Sequence, residues 1–335
     1  MIEEALARWP NLEVPLIDGP LRLAYEPDPE HPNAWLVNDH SLIRDRQGGV
    51  HFIGIENPAL TRNEALKLVS DQLEPSAEPF VRTLLKLMHD HLYRPGQACR
   101  IGHAVAESIA GPWVRLPAAM DGSEQGWHYG APFVLEHAGM YWMFLAEGPH
   151  EDERATGIYV SEDLARWTNV PDATPWRDRR VFGVADHRDP CIIRQEDGTF
   201  LQYFAGADAE GRHTVGLASS DDLRTWKGEE PCYVEALEGA PSHFGIFESP
   251  FVCARGGLHY LLVCFAHRHY YETFVVVSDD PRRFFPEHRI TTLLTHAPEL
   301  IEIDGATYMS SAGIEDPQTL NRSGLWLCRL RWAAL

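Results

Sequence analysis

Three acidic residues open otherwise apolar runs in this chain: Asp39 in "NDHSLI", Asp189 in "RDPCII" and Glu248 in "FESPFV". A single acid at such a place is ordinarily a solvated turn residue. Three acids in matching places are a different case. Like charges gathered in a half-desolvated cleft repel, and at least one pKa must rise. A carboxyl raised in this way donates a proton near neutral pH, while a neighbour that stays ionised serves as base or nucleophile. Cleavage of a glycosidic bond needs that division, an acid for the leaving oxygen and a carboxylate for the anomeric carbon or its water.

The acids match because the sequence repeats. Five stretches read as strand, tight polar or glycine turn, strand: "NDHSLIRDRQGGVHFIGI" from Asn38, "GAPFVLEHAGMYWMFLAEG" from Gly130, "HRDPCIIRQEDGTFLQYFAG" from His187, "ESPFVCARGGLHYLLVCF" from Glu248 and "HAPELIEIDGATYMSSAG" from His296. A second unit follows most of them, a strand ending in Ser, an acidic turn and a short strand opening on Trp or Phe. It reads "GIYVSEDLARWTNV", "VGLASSDDLRTWKGEE" and "FVVVSDDPRRFFPE", with a diverged copy, "IGHAVAESIAGPWVRL", after the first hairpin. Repeat starts lie mostly about 50–60 residues apart, near the period of four-stranded blades. The expected fold is therefore all-β, a five-bladed β-propeller in which residues 1–335 form a single domain. A β-sandwich would have no reason to repeat its turn chemistry in this way.

The last copy, "SGLWLCRLRWAAL", supplies only a third strand, and "LRLAYE" (Leu21–Glu26) is expected to close the ring as the fourth. The residues heading the innermost strands align as Asp39, Gly130, Asp189, Glu248 and His296, which a propeller brings to one mouth of its channel. Residues about 56–99 break the period. Apolar residues recur at helical spacing near Arg62–Leu73 and Glu78–Leu92, with Ser76 placed to cap the second stretch. They predict a helical hairpin inserted between the second and third strands of blade one, on the face that carries the acids. A lid, a substrate wall, a homo-oligomer contact and a purely stabilising addition all fit that position.

Composition narrows the partners. The net charge of -20 and pI near 5.2 repel phosphate backbones, which argues against nucleic acid. No apolar run is long enough to span a bilayer. The start, "MIEEALARWPNLEVPLIDGP", lacks the basic and apolar regions of a secretory signal, so a cytoplasmic location is expected. The six cysteines are scattered without a CxxC pair and read as buried thiols.

The three motifs, in this order and blade register, resemble the five-bladed propeller glycosidases, glycoside hydrolase family 43 with the related families 32 and 68. The likeness covers the repeat region from about Asp39 onward, without the insert. It implies that Asp39 is the base of an inverting enzyme or the nucleophile of a retaining one. It implies further that Asp189, in an Arg-Asp-Pro motif, stabilises the transition state and orients its neighbours, and that Glu248 is the general acid. The chain departs from the pattern in having His40 where proline is usual and "ESP" where the families carry "EGP" or "ECP". Retention and inversion both remain open.

The resemblance also implies a part for His296, which would help hold a structural calcium ion or a water in the central channel. A hydrogen bond from His296 to a neighbouring carboxylate is the competing reading. No cofactor is required. Arg188 is expected to reach substrate hydroxyls or to pair with Asp189. Trp127 and His128 in "GWHYG" are candidates to line a sugar subsite, since the apolar faces of sugars stack on aromatic rings. His267 and Arg268 in "AHRHYYE" are candidates for contacts with substrate hydroxyls. Trp167 and Trp226 read as blade packing. The expected activity is cleavage of short oligosaccharides or glycosides of the arabinofuranoside, xyloside or fructoside type. A glycosyl transferase or phosphorylase on the same propeller, a non-catalytic carbohydrate-binding propeller and a protein-interaction propeller are the alternatives.

Overall fold

The computed structural model describes residues 2–30, 35–58, 100–149, 155–176, 188–207, 212–235, 247–265, 272–312 and 324–334. A short helix, α1 (Ile2–Arg8), leads into a long strand, β1 (Glu13–Tyr25). Five four-stranded antiparallel sheets then account for the remaining strands. Blade one holds β2 (Trp35–Arg44), β3 (Val50–Pro58), β4 (Ile101–Ala106) and β5 (Val114–Met120). Blade two holds β6 (His128–His137), β7 (Met140–Gly148), β8 (Ala155–Ser161) and β9 (Thr168–Asn169). Blade three holds β10 (Arg188–Arg194), β11 (Phe200–Ala207), β12 (His213–Ser220) and β13 (Lys227–Val234), and blade four holds β14 (Phe247–Arg255), β15 (Leu258–Phe265), β16 (Thr273–Ser278) and β17 (Arg289–Leu293). Blade five is β18 (Leu300–Ile303), β19 (Ala306–Ser311), β20 (Leu325–Ala334) and, outermost, β1. The pairing runs from Glu13 opposite Ala334 to Tyr25 opposite Leu325, so the Leu21–Tyr25 segment closes the ring as the repeat pattern predicts.

Strand alternation explains why the blades need one another. Successive side chains of a strand point to opposite faces. In β7, Tyr141, Met143 and Leu145 pack against Ile43, Ile53, Ile55 and Ile101 of blade one. Trp142 and Phe144 turn the other way, onto Ile192, Phe200, Phe204 and Trp226 of blade three. In β15, Leu261 and Val263 meet blade three, while Tyr260 and Leu262 meet blade five and the N-terminal segment. Each seam between neighbouring blades carries its own buried cluster, and the seam between blades five and one is filled by Tyr25, Phe52, Ile303 and Leu327. A strand buried on both faces has to be apolar throughout, which accounts for runs such as "YWMFLA" and "YLLVCF".

The repeated turns are chemically alike. Ser161 and Ser220 each donate from Oγ to an aspartate two residues on, Asp163 and Asp222, at 3.1 Å. Leu164 and Leu223 follow at φ of 63° and 61°. The indoles of Trp167 and Trp226 then donate to the carbonyls of those leucines at 3.0 and 3.2 Å. Trp226 is buried and meets Phe144 edge-on, which is the blade-packing role expected of it. The anticipated helical insert, from residue 59 onward, lies outside the described residues. The strand pair that flanks it is described: Trp35 stands opposite Pro58, so the chain leaves β3 beside the start of β2.

Candidate active site

The innermost strands of blades one to four each begin with a break in the ladder. The register skips between Val37 and His40 in β2, Gly130 and Phe133 in β6, Arg188 and Cys191 in β10, and Glu248 and Phe251 in β14. In blades two, three and four the break is an X-Pro step, and in blade five an X-Pro step stands just ahead of β18. Proline has no N–H to give to the ladder, and the residue before it takes a left-handed conformation, at φ 46° for Ala131, 57° for Asp189, 47° for Ser249 and 45° for Ala297. Such conformations cost of order 1–3 kcal/mol each in non-glycine residues and cluster at functional sites. Here they swing the strand heads inward. Pro132, Pro190, Pro250 and Pro298, with His40 in blade one, line an axial cavity of ≈ 30 Å³ together with Asp39, Asp189 and Glu299. That volume holds about one water molecule.

The five heads are not in one register, contrary to the alignment expected from the sequence. Glu248 stands opposite Cys264 on β15 as Arg188 stands opposite Ala205 on β11. Glu248 therefore occupies the place of Arg188, and Ser249 that of Asp189. Gly130 and His296 likewise precede the X-Pro step. The prolines, not the acids, mark equivalent positions, because the bulge is built on the missing N–H.

The three acids nevertheless form one connected group. The Ser249 hydroxyl donates to Asp39 Oδ1 at 2.6 Å, and the Ser249 N–H donates to Asp189 Oδ2 at 2.9 Å. Arg188 places Nε 3.4 Å from Asp189 Oδ2 and donates from Nη2 to Glu248 Oε1 at 2.8 Å. Asp189 and Glu248 are 6% and 8% exposed, while Asp39 is half-buried. Burial pushes Glu248 up to about 8, Asp189 and Asp39 push it further, and Arg188 opposes them. Arg188 thus pairs with Asp189, as one of its expected readings had it, and with the neighbouring acid as well.

His296 is 3% exposed and its Nδ1 is 2.7 Å from the Ala312 carbonyl oxygen, while its backbone N–H meets the Ser311 hydroxyl. Burial lowers its pKa and the nearby Asp39 raises it. Calcium takes six to eight oxygen ligands, and among the described residues no group of three or more His, Cys, Asp or Glu is placed to hold a metal ion. Trp127 and His128 stand at the head of blade two, at the same end of the strands as the acids, with His128 opposite Gly148. The Trp127 indole donates to Glu147 Oε2 at 3.3 Å, and the Tyr159 hydroxyl donates to the same oxygen at 2.6 Å. His267 and Arg268 lie outside the described residues.

Sequence reasoning missed a second buried layer beneath the acids. Glu299 accepts the Leu42 N–H at 2.7 Å, and its own N–H donates to Ser310 Oγ at 3.0 Å. Burial pushes its carboxyl up to about 8, against the Leu42 N–H and the Ser41 hydroxyl, with Asp39 adding to the rise. His40 Nε2 lies 2.7 Å from the same Ser310 hydroxyl, and burial holds its imidazole down to about 4. The signal that could have found this layer is the acid immediately after a proline in "HAPELI", which a solvated strand end does not require.

No protein-family profile matches the chain, and no curated protein sequence does. Solved structures do match. An exo-1,5-α-L-arabinanase from a bovine ruminal metagenomic library is 16% identical with a TM-score of 0.58, over 88% of this chain and 93% of its own. A family 43 β-xylosidase/α-arabinofuranosidase from a compost microbial metagenome, in complex with xylotriose and in a calcium-free form, is 15% identical with a TM-score of 0.58, over 92% and 95%. A family 117 glycoside hydrolase from Zobellia galactanivorans is 13% identical with a TM-score of 0.62, over 96% and 90%. At these identities the likeness establishes the fold: a five-bladed propeller of the kind found in glycoside hydrolase structures.

Proposed function

We propose that this chain is a glycoside hydrolase that cleaves short oligosaccharides or glycosides of the arabinofuranoside, xyloside or fructoside type. The observation that carries the reading is the linked set Asp39–Ser249–Asp189–Arg188–Glu248 at one end of the channel. A carboxyl raised to about 8 is protonated at neutral pH, so Glu248 is the general acid that gives its proton to the leaving oxygen. Asp39 acts as base toward water or as nucleophile toward the anomeric carbon. Asp189, held by Arg188 and the Ser249 N–H, keeps a negative charge beside the developing oxocarbenium ion. The neighbours that act on arabinan and xylosides support the substrate class, and Trp127 is assigned to a sugar subsite with its ring fixed by Glu147.

Residues 1–335 are read as one domain, and a cytoplasmic enzyme of this kind would meet imported short saccharides. A phosphorylase is less favoured because Arg188, the one cation beside the acids among the described residues, is engaged with two carboxylates. The test is a screen of aryl glycosides and short oligosaccharides with NMR detection of the first anomer released, which reports substrate and stereochemistry together. Asp39→Asn should abolish turnover of any accepted substrate; near-normal turnover would reject the role of Asp39.

A further inference from the structure

We propose that Ser249 is a positioning residue that fixes which oxygen of Asp39 reacts, by bridging Asp39 and Asp189 across the channel mouth. The inference rests on the proposed function for its catalytic meaning, but its structural content stands alone. One residue of blade four donates twice, from Oγ to Asp39 at 2.6 Å and from N to Asp189 at 2.9 Å. The left-handed conformation before Pro250 makes both donations possible, because it turns the amide of one residue toward blade three and its side chain toward blade one.

The same conformation in blades two and five carries alanine, Ala131 and Ala297. The backbone therefore does not require a hydroxyl at this place; only the contact with Asp39 uses one. A hydroxyl donating to Oδ1 leaves Oδ2 as the oxygen that takes the proton of water or meets the anomeric carbon.

Other groups act on Asp39 as well. Glu248 from β14 and Asp189 from β10, paired through Arg188, face it from their blades. His40 adjoins it, His296 and Glu299 face it from blade five, and Cys264 lies behind Glu248 on β15.

The experiment compares the wild type with Ser249→Ala and Ser249→Gly. Alanine already occupies this conformation twice in the chain, and glycine adopts it without strain, so both variants should fold; a wild-type melting curve verifies that. Two readings are taken. One is kcat and KM, taken separately on an accepted aryl glycoside. The other is the orientation of the Asp39 carboxylate in crystal structures of the wild type and both variants, which needs no substrate.

We expect the Asp39 carboxylate to leave its wild-type orientation in both variants. We also expect kcat to fall ~10-fold with KM little changed. An Asp39 carboxylate that keeps its wild-type orientation in both variants would overturn the proposal. Absence of any glycosidase activity in the wild type would instead reject the proposed function, leaving the carboxylate orientation to decide whether Ser249 positions Asp39.

Discussion

Arg188 Nη2 lies 2.8 Å from Glu248 Oε1, so a cation of blade three is the nearest partner of the carboxyl in blade four that burial drives toward its neutral form. The same guanidinium meets Asp189. One side chain therefore restrains the acid while keeping the neighbouring carboxylate charged. The separation of roles between Glu248 and Asp189 depends on that shared position.

Replacing Arg188 by Gln removes the opposite charge that lowers Glu248. The carboxyl should then titrate higher than about 8, moving the basic limb of the kcat/KM profile to higher pH. Activity at neutral pH should fall by about 10²-fold through the misplaced Asp189. A basic limb that stays in place would mean that Arg188 does not act on Glu248 during turnover.

Glu248→Gln should separate substrates by their leaving groups. A poor alcohol leaving group needs the proton and should lose about 10²–10⁴-fold in rate. A dinitrophenolate leaves with little help and should retain most of its rate. Steady-state comparison of the two glycosides gives the result directly, and equal losses would remove Glu248 from the acid role.

Glu299 provides a stability test that does not involve activity. Its folded pKa is raised above that of the unfolded chain, so between the ordinary carboxyl range and about 8 the folded state binds more protons. Stability from this group is complete below that window and is lost as pH rises through it. Glu299→Gln should therefore lessen the fall in Tm between pH 5 and pH 8.5 by on the order of 5 °C. Differential scanning calorimetry at the two pH values measures the difference between the two proteins.

The opposite sign is expected at the other end of blade one. His51 Nε2 is 3.0 Å from Asp45 Oδ2, and its Nδ1 is 2.8 Å from Nε2 of the buried His103. Burial lowers His103 to about 4, and His51 lowers it further. The unfolded chain takes up a proton near 6.5 that the folded chain refuses until about 4. Stability from this group is thus lost as pH falls through that interval. His103→Gln retains a donor toward His51 without titrating, and its Tm should change less between pH 7 and pH 4.5 than that of the wild type.

The repeat made the architecture legible. Turn serines, acidic turns and aromatic strand starts recur because each blade solves the same packing problem, and Trp226 occupies its expected core place. Asp39, Asp189 and Glu248 were legible for the same reason. Their relative register was not, since the eye follows charge whereas the ladder follows the proline that cannot pair, and Glu248 precedes its proline by two residues where Asp189 precedes its own by one. Ser249, His40 and Glu299 were illegible as site residues because their roles arise from contacts across blades. The hydroxyl that reaches Asp39 lies 210 positions away in sequence, and no local pattern encodes that meeting.

The pairing of β1 with β20 has a consequence for how the molecule is made. A ribosome delivers β1 among the first strands and β20 last, yet among the described residues β1 has no ladder partner other than β20. During synthesis the early strand must wait, unpaired, while four blades assemble behind it. Its edge is exposed over that interval, and sealing the circle is a late, slow event of the kind expected when contacts join distant parts of a chain.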